Sequence, residues 1–229
     1  MAVARGVFER PETELTWQGV VSSLQHMDID LTPGGLTALT LQGMAHYISP
    51  AELNRIDLYG DDELPAWANT LIPGIQFVRH AALKFDKTEN NSHPRMDLVT
   101  WKTELLPFGH NKWPLQISSS ELAILEVLLD VPKRVSFEHA SNLLQGMPTL
   151  SPQRVTHLLE RCKSVKAKRL LLWLAERNGS PWLKQIDAKK YSLAGGTLGS
   201  GKRVVAEGGR LDPKYLITVP TDMCGDANG

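Results

Sequence analysis

The stretch "SPQRVTHLLERCKSVKAKRLLLWLAERNG" (residues 151–179) predicts two consecutive helices and decides the character of the second half of the chain. Ser151 followed by Pro152 is typical of a helix N-cap and a first-turn proline. Apolar residues then recur at helical spacing, and Asn178 with Gly179 is typical of a helix end. The stretch therefore predicts packed helices rather than strands.

Two further helices are predicted upstream of this stretch. Ser118 with Glu121 forms a capping-box pattern, which predicts a helix to about Asp130. Ser136 is the predicted N-cap of the next helix, which extends to about Gly146. These patterns place three helices in sequence before the last one.

Residues 135–164 then have the outline of a helix-turn-helix, whose second helix would enter the major groove of DNA. Five side chains would contact phosphates or bases in that arrangement: Arg154, Thr156, His157, Arg161 and Lys163. The same outline also builds simple helical bundles, so both interpretations stay open.

The first half has a different pattern. Thr16 is the predicted N-cap of a helix over residues 17–27, and a second helix is predicted over residues 36–47. From residue 55 to residue 117, short segments rich in β-branched and aromatic residues predict strands and hairpins. These segments are "RIDLYG", "IQFVRHAAL", "MDLVTWKTEL" and "WPLQISS", with a polar loop at residues 86–94.

The predicted fold class is α+β, with an N-terminal mixed α/β half of short strands and a mainly helical C-terminal half closed by a β-hairpin or strand. The predicted division is an α+β part over residues 1–117, a basic helical part over residues 118–220 and a disordered tail over residues 221–229. Residues 1–10 resemble an orphan strand left from another domain, because a lone strand has no partner.

The 229 residues carry no net charge, but the charges are unevenly distributed. Residues 1–130 hold 9 Lys/Arg and 17 Asp/Glu, a net charge of −8, whereas residues 133–215 hold 16 and 6, a net charge of +10. This asymmetry indicates either a polyanionic partner for the basic half or attraction between the halves. Two distant cysteines and the lack of a long apolar run predict a cytoplasmic protein without disulfides or a membrane partner.

The segment "GGTLGSGKRV" (residues 195–204) contains G-x-x-x-x-G-K, most of the pattern of a nucleotide-binding P-loop. A P-loop needs a buried strand before it and a helix after it, and the flanking residues favour neither. Arg203 stands where the pattern requires Ser or Thr. The segment is therefore interpreted as a glycine-rich turn that presents Lys202 and Arg203.

Other patterns do not predict catalysis. The seven histidines lack metal-ligand spacing, so neither a metal nor another cofactor is predicted. "IDAK" (residues 186–189) offers the D-x-K of certain nucleases through Asp187 and Lys189, but that chemistry needs further carboxylates. The basic run "RCKSVKAKR" (residues 161–169) favours either nucleic-acid binding or a solvated helix face.

The C-terminal segment "GSGKRVVAEGGRLDPKYLITVP" (residues 199–220) resembles the end of the AbiEi family, the antitoxins of bacterial type IV toxin–antitoxin systems. The likeness rests on the Gly-Lys-Arg turn, the glycine pair at 208–209 and the terminal Val-Pro. "GVFERPETELTWQGVVSSLQ" (residues 6–25) and "GGLTALTLQGMAHYI" (residues 34–48) are similar to segments that follow the family's DNA-binding domain.

This resemblance implies an N-terminal winged helix-turn-helix that represses the operon's promoter, and a larger domain that counteracts a nucleotidyltransferase-like toxin, AbiEii. Only "ARGVF" (residues 4–8) resembles a wing strand, so most of the winged domain is expected to be lacking. The implied function is that of a non-enzymatic antitoxin, functionally linked to the toxin. The alternatives are a DNA-binding autorepressor that uses residues 135–164, and a nuclease.

Nucleic acid is a possible target of the basic half, and its cations are the candidate contacts. They are Arg154, Arg161, Lys163, Lys166, Lys168, Arg169, Lys202, Arg203, Arg210 and Lys214.

Overall fold

The computed structural model describes residues 2–4, 7–8, 15–44, 53–86, 101–187, 190–191 and 196–223. The chain divides into two compact units. Unit 1 contains Met1–Ala82 and Arg95–Ser119, and unit 2 contains Leu83–Pro94 and Ser120–Gly229. The architecture is mixed α+β, as the sequence predicts, and most of the helical residues lie in unit 2.

The N-terminal residues form two short strands, β1 (Ala2–Ala4) and β2 (Val7–Phe8), which pair antiparallel with each other. The prediction of an orphan strand at residues 1–10 is therefore wrong, because β1 and β2 pair with each other.

Helix α1 (Trp17–His26) follows, and the Thr16 hydroxyl accepts a hydrogen bond from the Gly19 amide at 3.2 Å. The predicted cap is confirmed. Val20, Val21 and Leu24 are buried in an apolar core with Leu58 and Phe77 of the sheet described next.

The main sheet of unit 1 has the strand order β3 (Thr32–Pro33), β4 (Arg55–Gly60), β5 (Gln76–Ala81). β3 and β4 are antiparallel, whereas β4 and β5 are parallel. The sequence predicts strands and hairpins over this region without fixing how the strands pair. A parallel pair needs a longer crossover, which here contains the short helix α3 (Ala68–Leu71).

Helix α2 (Gly35–Leu41) lies between β3 and β4 in the chain and packs on β4. It ends well before the predicted residue 47, and residues 45–47 of that prediction lie outside the described residues.

Strands β6 (Thr103–Phe108) and β7 (Trp113–Ser118) form an antiparallel hairpin. The outer edge of β7 is completed by helix side chains: the Gln25 amide exchanges two hydrogen bonds with the Gln116 backbone, at 2.8 and 3.0 Å. Ser22 donates to the Pro114 carbonyl at 3.0 Å. Residues 96–100 of the predicted strand and most of the predicted polar loop lie outside the described residues.

Unit 2 contains four helices in sequence: α4 (Ser120–Asp130), α5 (Phe137–Gln145), α6 (Pro152–Arg161) and α7 (Val165–Arg177). The predicted N-caps Ser136 and Ser151 accept hydrogen bonds from backbone amides at 3.0 and 3.4 Å. Asn178 is the C-cap of α7, as predicted. The helix boundaries of this unit therefore agree closely with the sequence-based ones.

The predicted capping box of Ser118 and Glu121 is wrong. Ser118 is the last residue of β7, and Glu121 is buried. The Glu121 carboxylate instead accepts a hydrogen bond from the Ser151 amide at 2.8 Å, at the N-terminus of α6. A carboxylate there is stabilised by the unpaired amides and the positive end of the helix dipole.

Unit 2 closes with the antiparallel pair β8 (Arg210–Asp212) and β9 (Ile217–Val219), so the predicted closing hairpin is confirmed. Short 3-10 turns occur at Pro181–Gln185 and Thr221–Met223. The latter begins the segment predicted as a disordered tail, and residues 224–229 lie outside the described residues. Within the described ranges, no helix is both long and apolar enough to cross a membrane.

Candidate polyanion-binding surface

Helix α7 carries two buried cations at its N-terminal end. Lys168 is 6% exposed and Arg169 is 0% exposed. The Arg169 guanidinium donates to four backbone carbonyls, those of Leu198 (3.1 Å), Gly199 (2.7 Å), Gly201 (2.5 Å) and Leu216 (3.3 Å). Lys168 Nζ donates to the Thr197 carbonyl at 2.5 Å. Both cations therefore hold the glycine-rich loop, which comprises residues 196–203, against the helix.

The glycines of this loop are required by its path. Gly199 and Gly201 have φ values of 73° and 74°, in the left-handed region that favours glycine. A Cβ at Gly199 would also lie 2.6 Å from Val165 Cγ2 of α7. The close approach of the loop to α7 explains why small residues are needed there.

The carbonyl contacts also explain why the G-x-x-x-x-G-K pattern is not a P-loop. No helix follows Lys202, because Arg203 runs beside β9: its amide donates to the Leu216 carbonyl at 2.9 Å. The Arg203 carbonyl accepts from the Thr218 amide at 3.0 Å. The strand-loop-helix arrangement that binds nucleotides is thus replaced by an arginine-bound turn next to a strand.

Two exposed arginines flank β9. Arg203 bridges to Ile217 on one side, and Arg210 of β8 pairs with Val219 on the other. Adjacent strands lie about 4.8 Å apart, so the two backbones are separated by roughly 10 Å across β9. Lys202 is also exposed and precedes Arg203. These three exposed cations are hereafter called the cationic turn (Lys202, Arg203 and Arg210).

The connection between β8 and β9 is braced by the C-terminal part of α7. The Tyr215 hydroxyl donates to Glu176 Oε2 at 2.9 Å, and Lys214 Nζ donates to the other carboxylate oxygen. Asp212 Oδ1 accepts the backbone amides of Lys214 and Tyr215. Helix α7 therefore holds both segments that carry the cationic turn, through Arg169 at one end and Glu176 at the other.

Burial, and then the hydrogen bond and negative charge of Glu176, raise the pKa of Tyr215 above its ordinary value of about 10. Because the folded-state pKa is raised, this group's contribution to stability is complete below about pH 10 and is lost as the pH rises towards the folded pKa. We expect Tyr215→Phe to cost about 1 kcal/mol at neutral pH, and the difference from the wild type to shrink above about pH 10. Urea unfolding across a pH series measures both, and a difference that grows with pH would contradict the assignment.

The helix-turn-helix outline is present as α5 and α6, but neighbouring segments contact α6 along its length. The Tyr191 hydroxyl donates to the Thr156 carbonyl at 3.4 Å, and Lys190 forms an ion pair with Glu160. Residues 84–86 pair with residues 161–163, and the Asp86 amide donates a hydrogen bond to the Arg161 carbonyl at 2.9 Å. These contacts engage the middle of α6 and the residues at its C-terminal end.

Two of the three predicted cations of α6 and the following turn lie beside carboxylates. Arg154 Nη1 lies 3.7 Å from Glu121 Oε2, and Lys163 forms a 2.9 Å ion pair with Asp86. Arg161 is half-buried and makes no ion pair within the described ranges. Burial, and then the positive charge of Arg161, lower the pKa of His157, so the imidazole is disfavoured as a cation for phosphate.

The ten predicted contact residues therefore do not form a single exposed surface. Lys166 Nζ donates to the Leu129 carbonyl at 2.6 Å, and Lys214 pairs with Glu176. Lys168 and Arg169 are buried, so they cannot form part of an exposed docking surface, and their inclusion is corrected. The cationic turn remains: all three side chains are exposed and make no ion pair within the part of the chain that the structure describes.

A polar cluster in unit 1 was not foreseen from the sequence. Asp57 Oδ1, which is buried, accepts from Arg55 Nε at 2.9 Å and from His80 Nε2 at 2.8 Å. His80 stacks on Tyr59 with ring centroids 4.7 Å apart. Parallel pairing of β4 and β5 brings these residues onto one face, and no local pattern signals that pairing.

Of the proposed nuclease residues, Asp187 is exposed and Lys189 lies outside the described residues. Among the residues that the structure does describe, no three His, Cys, Asp or Glu side chains converge as metal ligands would.

Two family models match the chain. One, described as "Transcriptional regulator, AbiEi antitoxin, Type IV TA system", matches residues 53–220. The other, described as "Transcriptional regulator, AbiEi antitoxin N-terminal domain", matches residues 1–50. The family's N-terminal domain is therefore matched, which corrects the expectation that most of it is lacking.

No protein with curated annotation matches the chain. The crystal structure of the RV2827C protein from Mycobacterium tuberculosis is similar at 15% identity and a TM-score of 0.45. The match covers 88% of this chain and 66% of that one, so this chain spans just under two thirds of the other's length. A likeness of this size assigns neither fold nor function.

The family models together match 1–50 and 53–220, and the resemblance of the C-terminal segment falls on the loop and strands that carry the cationic turn. The chain belongs to the AbiEi antitoxin family of transcriptional regulators of type IV toxin–antitoxin systems.

Proposed function

We propose that this chain is an antitoxin that counteracts a nucleotidyltransferase-like toxin by binding rather than by catalysis, and that the cationic turn is its contact surface. The observation that carries the contact assignment is the bracing of Lys202, Arg203 and Arg210 by α7. Arg169 and Glu176 fix the two segments, while the three cationic side chains face solvent.

Nucleic acid is the proposed ligand of this surface. Guanidinium and ammonium groups bind phosphates without regard to sequence, and a braced backbone lowers the entropy lost when they bind. A nucleic acid is also a target that an antitoxin and a nucleotidyltransferase-like toxin would share.

DNA reading by α6 is the less supported alternative. The family description names a transcriptional regulator, but Tyr191, Lys190 and residues 84–86 contact α6, and Arg154 lies beside a buried carboxylate. For α6 to enter a DNA groove, these neighbouring segments would have to move away from the helix.

Co-expression with the cognate toxin tests the proposal. We expect the triple variant Lys202→Ser, Arg203→Ser, Arg210→Ser to lose neutralisation, so that growth arrest returns while circular dichroism stays unchanged. The matched control is Lys84→Ser, Lys133→Ser, Lys184→Ser, which removes three exposed charges of the same unit. This control should still neutralise the toxin.

Two outcomes would contradict the proposal. Full neutralisation by the triple variant would exclude the cationic turn as the contact surface. Equal loss in the control variant would show that overall charge, rather than this surface, is responsible.

A further inference from the structure

We propose that the outer side of the glycine-rich loop is a phosphate-binding site, in which the backbone amides of Ser200 and Lys202 donate to one phosphate group. The inference rests on the proposed function and deepens it, because it names the group that the cationic turn binds and the atoms that bind it.

The direction of the two amides follows from the contacts of Arg169. In a trans peptide, the C=O and the following N–H point in opposite directions. The Gly199 carbonyl points at Arg169 Nη2 (2.7 Å), so the Ser200 N–H points away from the guanidinium. The Gly201 carbonyl points at Arg169 Nη1 (2.5 Å), so the Lys202 N–H also points away. Both donors therefore lie on the side of the loop opposite α7.

Neither amide has a hydrogen-bond partner in the part of the chain that the structure describes. The N–H groups of Ser200 and Lys202 make no hydrogen bond within the ranges that the structure describes, whereas the next amide, that of Arg203, donates to Leu216. Ser200, Gly201 and Lys202 are all exposed. Two unpaired amide donors on the same side of a loop that is held from behind are suited to binding an anion.

The electrostatics favour an anion at this position. The positive charge of Arg169 lies at the carbonyl end of both peptides, so each peptide dipole presents its positive N–H end to solvent. The exposed side chains of Lys202 and Arg203 add two charges beside these donors. Hydrogen bonds from such donors to an ionised oxygen are stronger than neutral ones.

The site fits one phosphate group rather than a nucleotide triphosphate. A P-loop extends its amides into the first turn of a helix and adds a metal-binding hydroxyl, whereas Arg203 here joins β9. A phosphodiester of a nucleic-acid strand and a free phosphate share the chemistry that these donors recognise. The experiment below separates the two sources.

Amide chemical shifts of the uniformly ¹⁵N-labelled full chain test the site directly. We expect saturable shifts of the Ser200 and Lys202 amides on titration with inorganic phosphate, and the same shifts at much lower concentration with a short single-stranded RNA. Acetate at equal ionic strength is the anion control. If phosphate saturates the site and RNA binds no more tightly, the site serves free phosphate rather than nucleic acid, and the nucleic-acid arm of the proposal is overturned.

Two matched variants separate the amide from the side chain. Ser200→Pro removes the N–H donor and should weaken phosphate binding about 10-fold, whereas Ser200→Ala keeps the N–H and should bind as the wild type does. Lys202→Ser with Arg203→Ser should also weaken binding, with Lys133→Ser and Lys184→Ser as the charge-matched control. The proposed site would be contradicted if the Ser200 and Lys202 amide shifts did not change on adding phosphate or RNA. It would also be contradicted if Ser200→Pro and Ser200→Ala bound phosphate equally well.

This measurement does not involve the toxin, so the two proposals can fail separately. Suppose that phosphate changes the amide shifts of Ser200 and Lys202, but the triple variant still neutralises the toxin. The phosphate site would then stand, and its role in the antitoxin activity would be rejected. Loss of neutralisation without such shifts would retain the contact surface and reject the phosphate site.

Discussion

Replacing Arg169 by alanine is expected to lower the free energy of unfolding of unit 2 by about 4 kcal/mol. The side chain is fully buried, and its removal leaves the carbonyls of Leu198, Gly199 and Gly201 without the guanidinium donor. The Leu216 carbonyl also loses this donor but keeps the Arg203 amide. Urea unfolding monitored by tryptophan fluorescence measures the loss, because Trp173 and Trp182 are buried in this unit.

Arg177→Ala is the matched control on the same helix. Its guanidinium is exposed and donates to the Met223 carbonyl, so we expect a loss below about 1 kcal/mol. The loss of stability in Arg169→Lys should lie between the losses in Arg169→Ala and Arg177→Ala. A single ammonium group cannot reach all the carbonyls that a planar guanidinium spans. Equal stability of the Arg169 and Arg177 variants would contradict the anchoring of the loop. Hydrogen exchange of residues 196–203 should rise selectively in the Arg169 variants.

Replacing Asp57 by alanine is expected to destabilise unit 1 by about 3 kcal/mol. Asp57 is 3% exposed, and its carboxylate accepts from both Arg55 and His80, so its loss removes one hydrogen bond from each of two partly buried side chains. The variant also removes the charge that balances Arg55. Denaturant unfolding monitored by circular dichroism measures the effect.

Asp61→Ala is the control, because this carboxylate is exposed just beyond the end of the same strand and should contribute within about 0.5 kcal/mol. If the Asp57 and Asp61 variants were equally stable, the polar cluster would have no structural role.

The helices of unit 2 could be predicted closely because their signals are local. Ser136, Ser151 and Asn178 act on backbone groups within one helical turn, so the residues that mark a boundary are adjacent to it. Glu121 shows where this reasoning fails. The sequence offers it a local partner at Ser118, but folding places it beside the Ser151 amide, 30 residues away.

Strand pairing in unit 1 was predicted less well for the same reason. "RIDLYG" and "IQFVRHAAL" are recognisable as strands, but whether they pair as a hairpin or in parallel depends on the path of the 15 residues between β4 and β5. Their parallel pairing then creates the cluster of Asp57 and His80. The contact of Arg55 with Asp57 is local in sequence, but no residue near Asp57 or His80 in the sequence indicates that these two would meet.

By itself, the sequence determined the mixed fold class, the boundaries of α5, α6 and α7, the family resemblance and the concentration of cations after residue 132. Only the tertiary structure decided which of those cations face solvent. Lys168 and Arg169 look no different in sequence from Lys202 and Arg203, yet the first pair binds loop carbonyls and the second pair faces outward. The density of cations can be read from the sequence. Whether a given cation is buried depends on whether folding brings distant backbone carbonyls close enough to accept its hydrogen bonds.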